Sequence, residues 1–213
     1  MKRGLFISLE GPDGSGKTTQ VKLLAEFLRA AGHIVIETRE PGGTTISDKI
    51  RKIILDTANM EMTDRTEALL YAAQRAQHVE EKIVPALERG EIVLTDRFAD
   101  STFVYQGLAR RLKLADIKAL TTFATNGLKP DLTLLLDITP ECGEKRMVGR
   151  GKKDRLEMVN DSFSKRVRAG YLELAANEPE RFRVVNADRS IDEIQTDLRV
   201  LTEKFLLDRV RNV

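Results

Sequence analysis

Five short apolar runs punctuate this chain: Leu5-Phe6-Ile7-Ser8-Leu9, Ile34-Val35-Ile36, Ile92-Val93-Leu94, Leu132 to Leu136, and Val184-Val185. Each is too short for a helix and nearly free of polar residues, as a strand buried on both faces is. Between them apolar positions recur at helical spacing. Val21, Leu23, Leu24, Phe27 and Leu28 follow the first run, and Ile46, Ile50, Ile53 and Ile54 follow the second, with Asp48, Lys49, Arg51 and Lys52 among them. A longer helix is predicted from Thr66 to Glu88, with Leu69, Leu70, Ala73, Ala76 and Val79 on one side, and a last one around Ile191 to Leu207. Gly32 and Gly90 are placed to end helices, and Pro85 either kinks the long helix or marks a new start. Strands alternating with helices imply a parallel sheet covered on both faces, because parallel neighbours need crossover connections. Ligands of such sheets bind at the carboxyl ends of the strands, where the stretches 11–18, 39–44 and 96–106 all fall.

Composition narrows the picture only a little. The 213 residues suffice for one domain with a substantial core, and no internal repeat or low-complexity segment breaks them up. Lysine plus arginine (35) nearly balance aspartate plus glutamate (33), so a net charge of +2 gives no reason to expect a nucleic-acid polymer or a membrane surface as partner. No apolar run approaches a membrane span, and the first strand starts too close to Met1 to leave room for a signal peptide. With a single Cys142 there is no internal disulfide, and the expected location is the cytoplasm. His33 and His78 lack a third partner at metal-ligand spacing, so no zinc site is expected. Cys142, at a predicted helix start after Thr139-Pro140, is expected to be inert.

The chemistry begins where the first strand ends. Gly11-Pro12-Asp13-Gly14-Ser15-Gly16-Lys17-Thr18-Thr19 fits G-x-x-x-x-G-K-[ST] between a strand and a helix, the context that this phosphate-binding loop requires. Its glycines let the backbone wrap a di- or triphosphate, with N–H groups and the following helix N-terminus aimed at anionic oxygens. Lys17 is expected on the β/γ-phosphates of ATP, and Thr18 on Mg²⁺, a hard cation that shares its positions among waters, phosphate and protein oxygens.

Further motifs follow in order: Arg39-Glu40-Pro41-Gly42-Gly43-Thr44, Leu69-Leu70-Tyr71-Ala72-Ala73-Gln74-Arg75, Asp96-Arg97-Phe98, Ser101-Thr102 with Tyr105-Gln106-Gly107, and an arginine-rich stretch ending in Gly149-Arg150-Gly151-Lys152-Lys153-Asp154-Arg155-Leu156-Glu157. Together they resemble the bacterial thymidylate kinases, over essentially the whole chain. The resemblance implies a three-layer α/β fold of the P-loop NTPase type, with a five-stranded parallel sheet flanked by helices. It also implies one kinase domain over 1–213 with a mobile lid around 146–157, a homodimer with the long helix as a packing surface, and transfer of the γ-phosphoryl of ATP to dTMP, giving dTDP.

Bringing two polyanions into line demands fixed positive charge at the sheet edge. Asp96 is expected to hold the magnesium shell through water while Arg97 grips the acceptor phosphate, and the resemblance adds Arg39 and Arg51 to that clamp; arginine suits it because its planar fork binds two oxygens at once. A solvated surface ion pair is the alternative for each arginine, Arg51 above all. Tyr71 and Arg75, four apart on a helix, share a face and would set an aromatic platform beside a donor to thymine O4, with Gln106 reading O4 and N3–H; alternatively Tyr71 is core and Arg75 a surface charge. From the resemblance come Tyr105 beside the sugar 2′ position and Asp13 accepting from the 3′-hydroxyl. Ser101 and Thr102 either bond substrate or cap the next helix. Glu40 either orders magnesium or pairs with a neighbouring arginine, and Asp137 is expected to cap a turn. The resemblance, with Gly14 where one branch of the family carries arginine, shifts the lid arginine that meets the transferring phosphoryl to Arg150, with Arg155 second; Arg146 is expected over the adenine. A kinase for AMP, GMP or UMP, or a nucleotide-dependent switch, remains as a rival reading; residues 186–189 lack the lysine of an N-K-x-D guanine motif.

Overall fold

The computed structural model describes residues 3–148, 155 and 161–211. Five strands form one parallel sheet: β1 (Leu5–Glu10), β2 (Val35–Arg39), β3 (Ile92–Asp96), β4 (Leu132–Asp137) and β5 (Phe182–Asn186), in the order β2-β3-β1-β4-β5. β2 and β5 run longer than the apolar runs that mark them. The register sets Leu9 and Arg39 each beside Asp96, and Asp137 beside Asn186, so the chemistry-bearing residues end level at one sheet edge.

Side chains alternate across the pleat, and the two faces bury different partners. Leu5, Ile7 and Leu9 of β1 pack with Ile92, Leu94, Leu132, Leu134 and Leu136 against α1 (Lys17–Ala30) and α9 (Ile191–Arg211). Phe6 points the other way, onto Val79, Ile83, Ala86, Leu87, Val93 and Phe98. Ser8 and Glu10 share its face, which places a carboxylate at the end of a wholly buried strand.

On that second face, α2 (Thr45–Leu55) is capped by Thr44 Oγ1 accepting from Ser47 N. α3 (Asp64–His78) widens into a π-type turn over Val79–Ile83 and continues as α4 (Val84–Glu88), with Pro85, which has no N–H for the helical ladder, just after the widened turn. α5 (Ala99–Thr102) likewise runs into a π-type stretch, Phe103–Ala109. α6 (Leu114–Thr125), α7 (Pro140–Met147) and α8 (Asp161–Asn177) complete the layers. Neither α6 nor α8 is anticipated from the sequence. Among the described residues no helix is long and apolar enough to cross a membrane.

One expectation is overturned. The packed side of α3 carries Glu67, Ala68, Tyr71, Ala72, Gln74, Arg75 and His78, whereas Leu69 is 53% exposed and Ala73 faces solvent. The helix buries Glu67, Gln74, Arg75 and His78, whose side chains bond to residues of other elements, and turns Leu69 and Ala73 outward.

Candidate active site

The loop from Gly11 to Thr18 joins β1 to α1. Gly16 caps α1 in the left-handed region, at φ 92°, without a side-chain hydrogen bond, so the first-turn N–H groups stay available to an anion. Gly14, also left-handed at φ 80°, lies so close to α7 that a Cβ there would stand 2.4 Å from Gly143 O. An arginine at this position would meet both that contact and a strained backbone. Lys17 Nζ donates to Gly11 O, Pro12 O and Ser15 Oγ at 3.0, 2.8 and 3.2 Å. Burial and the nearby Arg97 charge push its ammonium down to about 8, against the opposing pull of Asp96, Asp13 and Glu10. Thr19 continues α1 on its exposed side.

Thr18 Oγ1 donates to Asp96 Oδ2 at 2.5 Å, joining the end of the loop to the end of β3. The next residue, Arg97, is held at φ 70°, a conformation that costs a non-glycine residue about 1–3 kcal/mol and persists where surroundings over-determine it. The surroundings are polar. Arg97 Nη2 donates to Asp13 Oδ1 at 2.5 Å and Tyr105 Oη at 3.1 Å, and Nη1 to Ser101 Oγ at 3.1 Å and Tyr171 Oη at 3.0 Å. Its guanidinium also lies 5.0 Å from the centre of the Tyr105 ring. Tyr105 Oη donates to the second Asp13 oxygen at 3.0 Å. Burial opposes ionisation of Asp13, but Arg97 and Lys17 outweigh it and hold the carboxyl below its usual range.

Behind Arg97 stands Glu10. Its carboxylate accepts from Phe98 N at 2.7 Å, Ser101 Oγ at 2.7 Å and Tyr171 Oη at 2.9 Å. Burial, reinforced by the charge of Asp100, pushes its carboxyl up to about 7 despite Arg97. Glu10 and Tyr171 are functional neighbours that sequence reasoning missed. Only a carboxylate closing an otherwise apolar strand marked the first of them.

Asp13, Lys17, Thr18, Asp96, Arg97 and Tyr105 border a cavity of about 250 Å³ that also takes in Gly14, Gly16, Arg39, Glu40, Pro41, Arg51, Leu55, Tyr71, Ser101 and Gln106. Arg39 Nη2 donates to Asp48 Oδ1 at 3.1 Å and is half exposed, while Arg51 Nη1 donates to Pro41 O at 2.7 Å. Tyr71 is buried against Ile54. Arg75 lies deeper than expected, 1% exposed, donating from Nε to Glu40 Oε2 at 2.7 Å, from Nη1 to Thr102 Oγ1 at 2.9 Å and from Nη2 to Phe98 O at 3.1 Å. Thr102 is thereby turned to Arg75, and neither Ser101 nor Thr102 caps a helix. The other Glu40 oxygen bonds His78 Nδ1 at 3.0 Å, and His78 Nε2 meets Thr38 Oγ1 at 2.6 Å. Glu40 therefore pairs with arginine; burial would raise its carboxyl, but Arg75 and the His78 bond bring it below the usual range.

Arg146, Arg155 and Asp137 lie apart from the cavity. Arg146 Nη2 donates to Arg189 O at 3.0 Å, beside the β5–α9 loop. Arg150 lies outside the described residues, and of 146–157 the structure describes Arg146, Met147, Val148 and Arg155. Arg155 is buried, with Nη2 on Glu67 Oε2 at 2.5 Å and Nε on Ile54 O at 2.8 Å, which turns this second lid candidate away from the phosphate loop. Asp137 takes a bidentate pair from Arg168, at 2.7 and 2.9 Å, instead of capping a turn.

Among the described residues no three His, Cys, Asp or Glu groups gather as metal ligands. The Thr18 hydroxyl and Asp96 carboxylate are nonetheless the hard oxygen donors that suit Mg²⁺, which needs few protein ligands when phosphates and waters supply the rest.

A family model described as "Thymidylate kinase" matches residues 9–198. A thymidylate kinase of Deinococcus radiodurans is 51% identical over 198 residues, covering 93% of this chain and 96% of that protein. One from Exiguobacterium sp. (strain ATCC BAA-1283 / AT1b) is 50% identical over 195 residues, or 92% of each chain. Among solved structures, thymidylate kinase from Ehrlichia chaffeensis superposes with a TM-score of 0.77 at 30% identity, covering 94% of this chain and 99% of that one.

Proposed function

This chain belongs to the thymidylate kinase family, and from that premise we propose that its cavity is where the γ-phosphoryl of ATP passes to the 5′-phosphate of dTMP, giving dTDP. One observation carries the assignment to these residues: the phosphate loop, Asp96 and a strained, four-times bonded Arg97 border the same cavity as Tyr71 and Gln106.

ATP binds with its phosphates on the loop N–H groups and the start of α1. Lys17 exchanges its loop carbonyls for β- and γ-phosphate oxygens. Thr18 and Asp96 would hold Mg²⁺, which would supply charge neutralisation on the phosphates. The acceptor lies on the other side of Arg97, whose fork, with Arg39 and Arg51, fixes its 5′-phosphate for in-line approach. Asp13 accepts from the 3′-hydroxyl, and Tyr105 crowds the 2′ position, disfavouring ribonucleotides. Tyr71 faces the pyrimidine, and Arg75 keeps one N–H on each terminal nitrogen for O4, since its three hydrogen bonds use three of five donors. Arg150 is assigned to the transferring phosphoryl, within a lid over 146–157, and Arg146 to the adenine. The whole chain acts as one domain.

We further infer a homodimer. α3 packs beside both α2 and α6, and these helices leave Ile46, Ile53, Leu69, Leu114 and Phe123 exposed, by 40 to 87%. Sedimentation of the wild type and Leu69→Glu tests it, with a monomeric wild type refuting the inference. The near-balanced charge favours neither nucleic acid nor membrane as partner, and the activity belongs in the cytoplasm.

The deciding experiment couples ADP release to a panel of dTMP, dUMP, dCMP, AMP, GMP and UMP. Preference for dTMP is expected. Equal ATP hydrolysis with and without acceptor would favour a switch, and preference for a purine monophosphate would place the base elsewhere.

A further inference from the structure

Gln106 is 1% exposed and lines the cavity through a side chain that ends in two unlike groups, an acceptor oxygen and a donor nitrogen. Either could face a pyrimidine. The choice between them is made by a residue outside the cavity, Glu67, which is wholly buried on α3. Its Oε1 accepts from Gln106 Nε2 at 2.7 Å. The same carboxylate is gripped from two other directions: Arg110 donates from Nε to Oε1 at 3.4 Å and from Nη2 to Oε2 at 3.2 Å, and Arg155 from Nη2 to Oε2 at 2.5 Å. Arg155 is itself anchored, through its Nε on Ile54 O at 2.8 Å and its backbone N on Leu55 O at 3.3 Å. A carboxylate with donors on both oxygens has neither a donor to offer Gln106 nor freedom to turn.

We propose that Glu67 is a positioning residue that fixes the polarity of the Gln106 amide, so that its carbonyl oxygen faces the acceptor base and the site demands an N–H at pyrimidine position 3. This deepens the reading of the cavity as the dTMP site and rests on it. Thymine and uracil carry that N–H. Cytosine presents a lone pair there and meets the Gln106 oxygen acceptor to acceptor, a mismatch of buried polar groups of the kind that gives strong discrimination.

The test uses Glu67→Gln, with kcat/KM measured for dTMP and dCMP. Arg110 and Arg155 keep the oxygen of the new amide, its NH₂ turns to Gln106, and the Gln106 amide rotates to present a donor to the cavity. The dTMP:dCMP ratio then falls by at least about tenfold, with dCMP turnover rising, while KM for ATP stays within twofold of the wild type. Loss of a buried charge next to two arginines endangers folding, so Glu67→Asp is measured alongside: it keeps the charge but falls short of Gln106, and the ratio falls in the same direction. A structural role alone would lower both substrates together. A ratio unchanged within twofold in the folded variants, beside a wild type that prefers dTMP, overturns this proposal and leaves the site reading standing. A wild type that turns over dCMP as fast as dTMP overturns both.

Discussion

Glu10 offers the sharpest stability prediction, because its environment works against its charge. Its carboxyl moves from the usual 4.5 to about 7, first through burial and then through Asp100. The folded protein therefore holds a proton between those limits that the unfolded chain has released, and stability falls as pH rises across the window. The stabilising contribution is complete below about pH 4.5 and is lost through about pH 7. A displacement from 4.5 to about 7 corresponds to about 3 kcal/mol. Glu10→Gln keeps an acceptor for Phe98 N and lets the Ser101 and Tyr171 hydroxyls rotate to accept from the new NH₂, while removing the titration. Urea unfolding of both proteins at pH 5, 6, 7 and 8, at constant ionic strength, reads the effect. The wild type is expected to lose about 2.5 kcal/mol relative to Glu10→Gln between pH 5 and 8, the rest having gone below pH 5, whatever the offset between them at pH 5. The comparison isolates Glu10 because the carboxyls of Asp13 and Glu40 are displaced downward and act at lower pH. Two curves that run parallel across this range would refute the reasoning.

Three further outcomes follow from the same geometry. kcat/KM for ATP should decline above about pH 8, where Lys17 loses the proton that makes it a phosphate ligand in the free enzyme, and a profile flat to pH 9.5 would contradict its placement. Gly14→Ala, driving a Cβ to 2.4 Å from Gly143 O at φ 80°, should cost about 1–3 kcal/mol by calorimetry and raise KM for ATP; an unchanged melting temperature would mean that α7 yields freely. Asp96→Asn should lower Mg²⁺ affinity or activity by about 10- to 100-fold in a magnesium titration and leave dTMP binding unaltered, whereas a normal magnesium dependence would remove Asp96 from the metal shell.

How far the sequence foretold this molecule differs from place to place, and burial explains the difference. The phosphate loop and all five strands were legible because their demands are local: glycines where the backbone must turn left, apolar runs where both faces are covered. The packed side of α3 was misread because periodicity arguments assume an apolar interior. That interior here includes Glu67, Gln74, Arg75 and His78, which bond Glu40, Gly42, Thr102, Gln106 and Arg110, 27 to 43 residues away along the chain. Such pairs leave no spacing to read. Arg155 illustrates the converse, since a basic residue in a glycine-containing stretch reads as a surface charge until the fold brings α3 against it. Glu10 lay in plain view at the end of β1, but only the alternation of the pleat shows that it points toward Arg97 and not toward α1.

The central claim is that one cavity seats the acceptor, with its phosphate on Arg97 and its base between Tyr71 and Gln106. A crystal structure with dTMP bound tests it most directly. The account predicts phosphate oxygens within hydrogen-bonding distance of the Arg97 guanidinium, the pyrimidine ring against Tyr71, and N3 facing Gln106 Oε1. Nucleotide density away from Tyr71, or a phosphate that leaves Arg97 bonded only to Asp13, Ser101 and the two tyrosines, would contradict it.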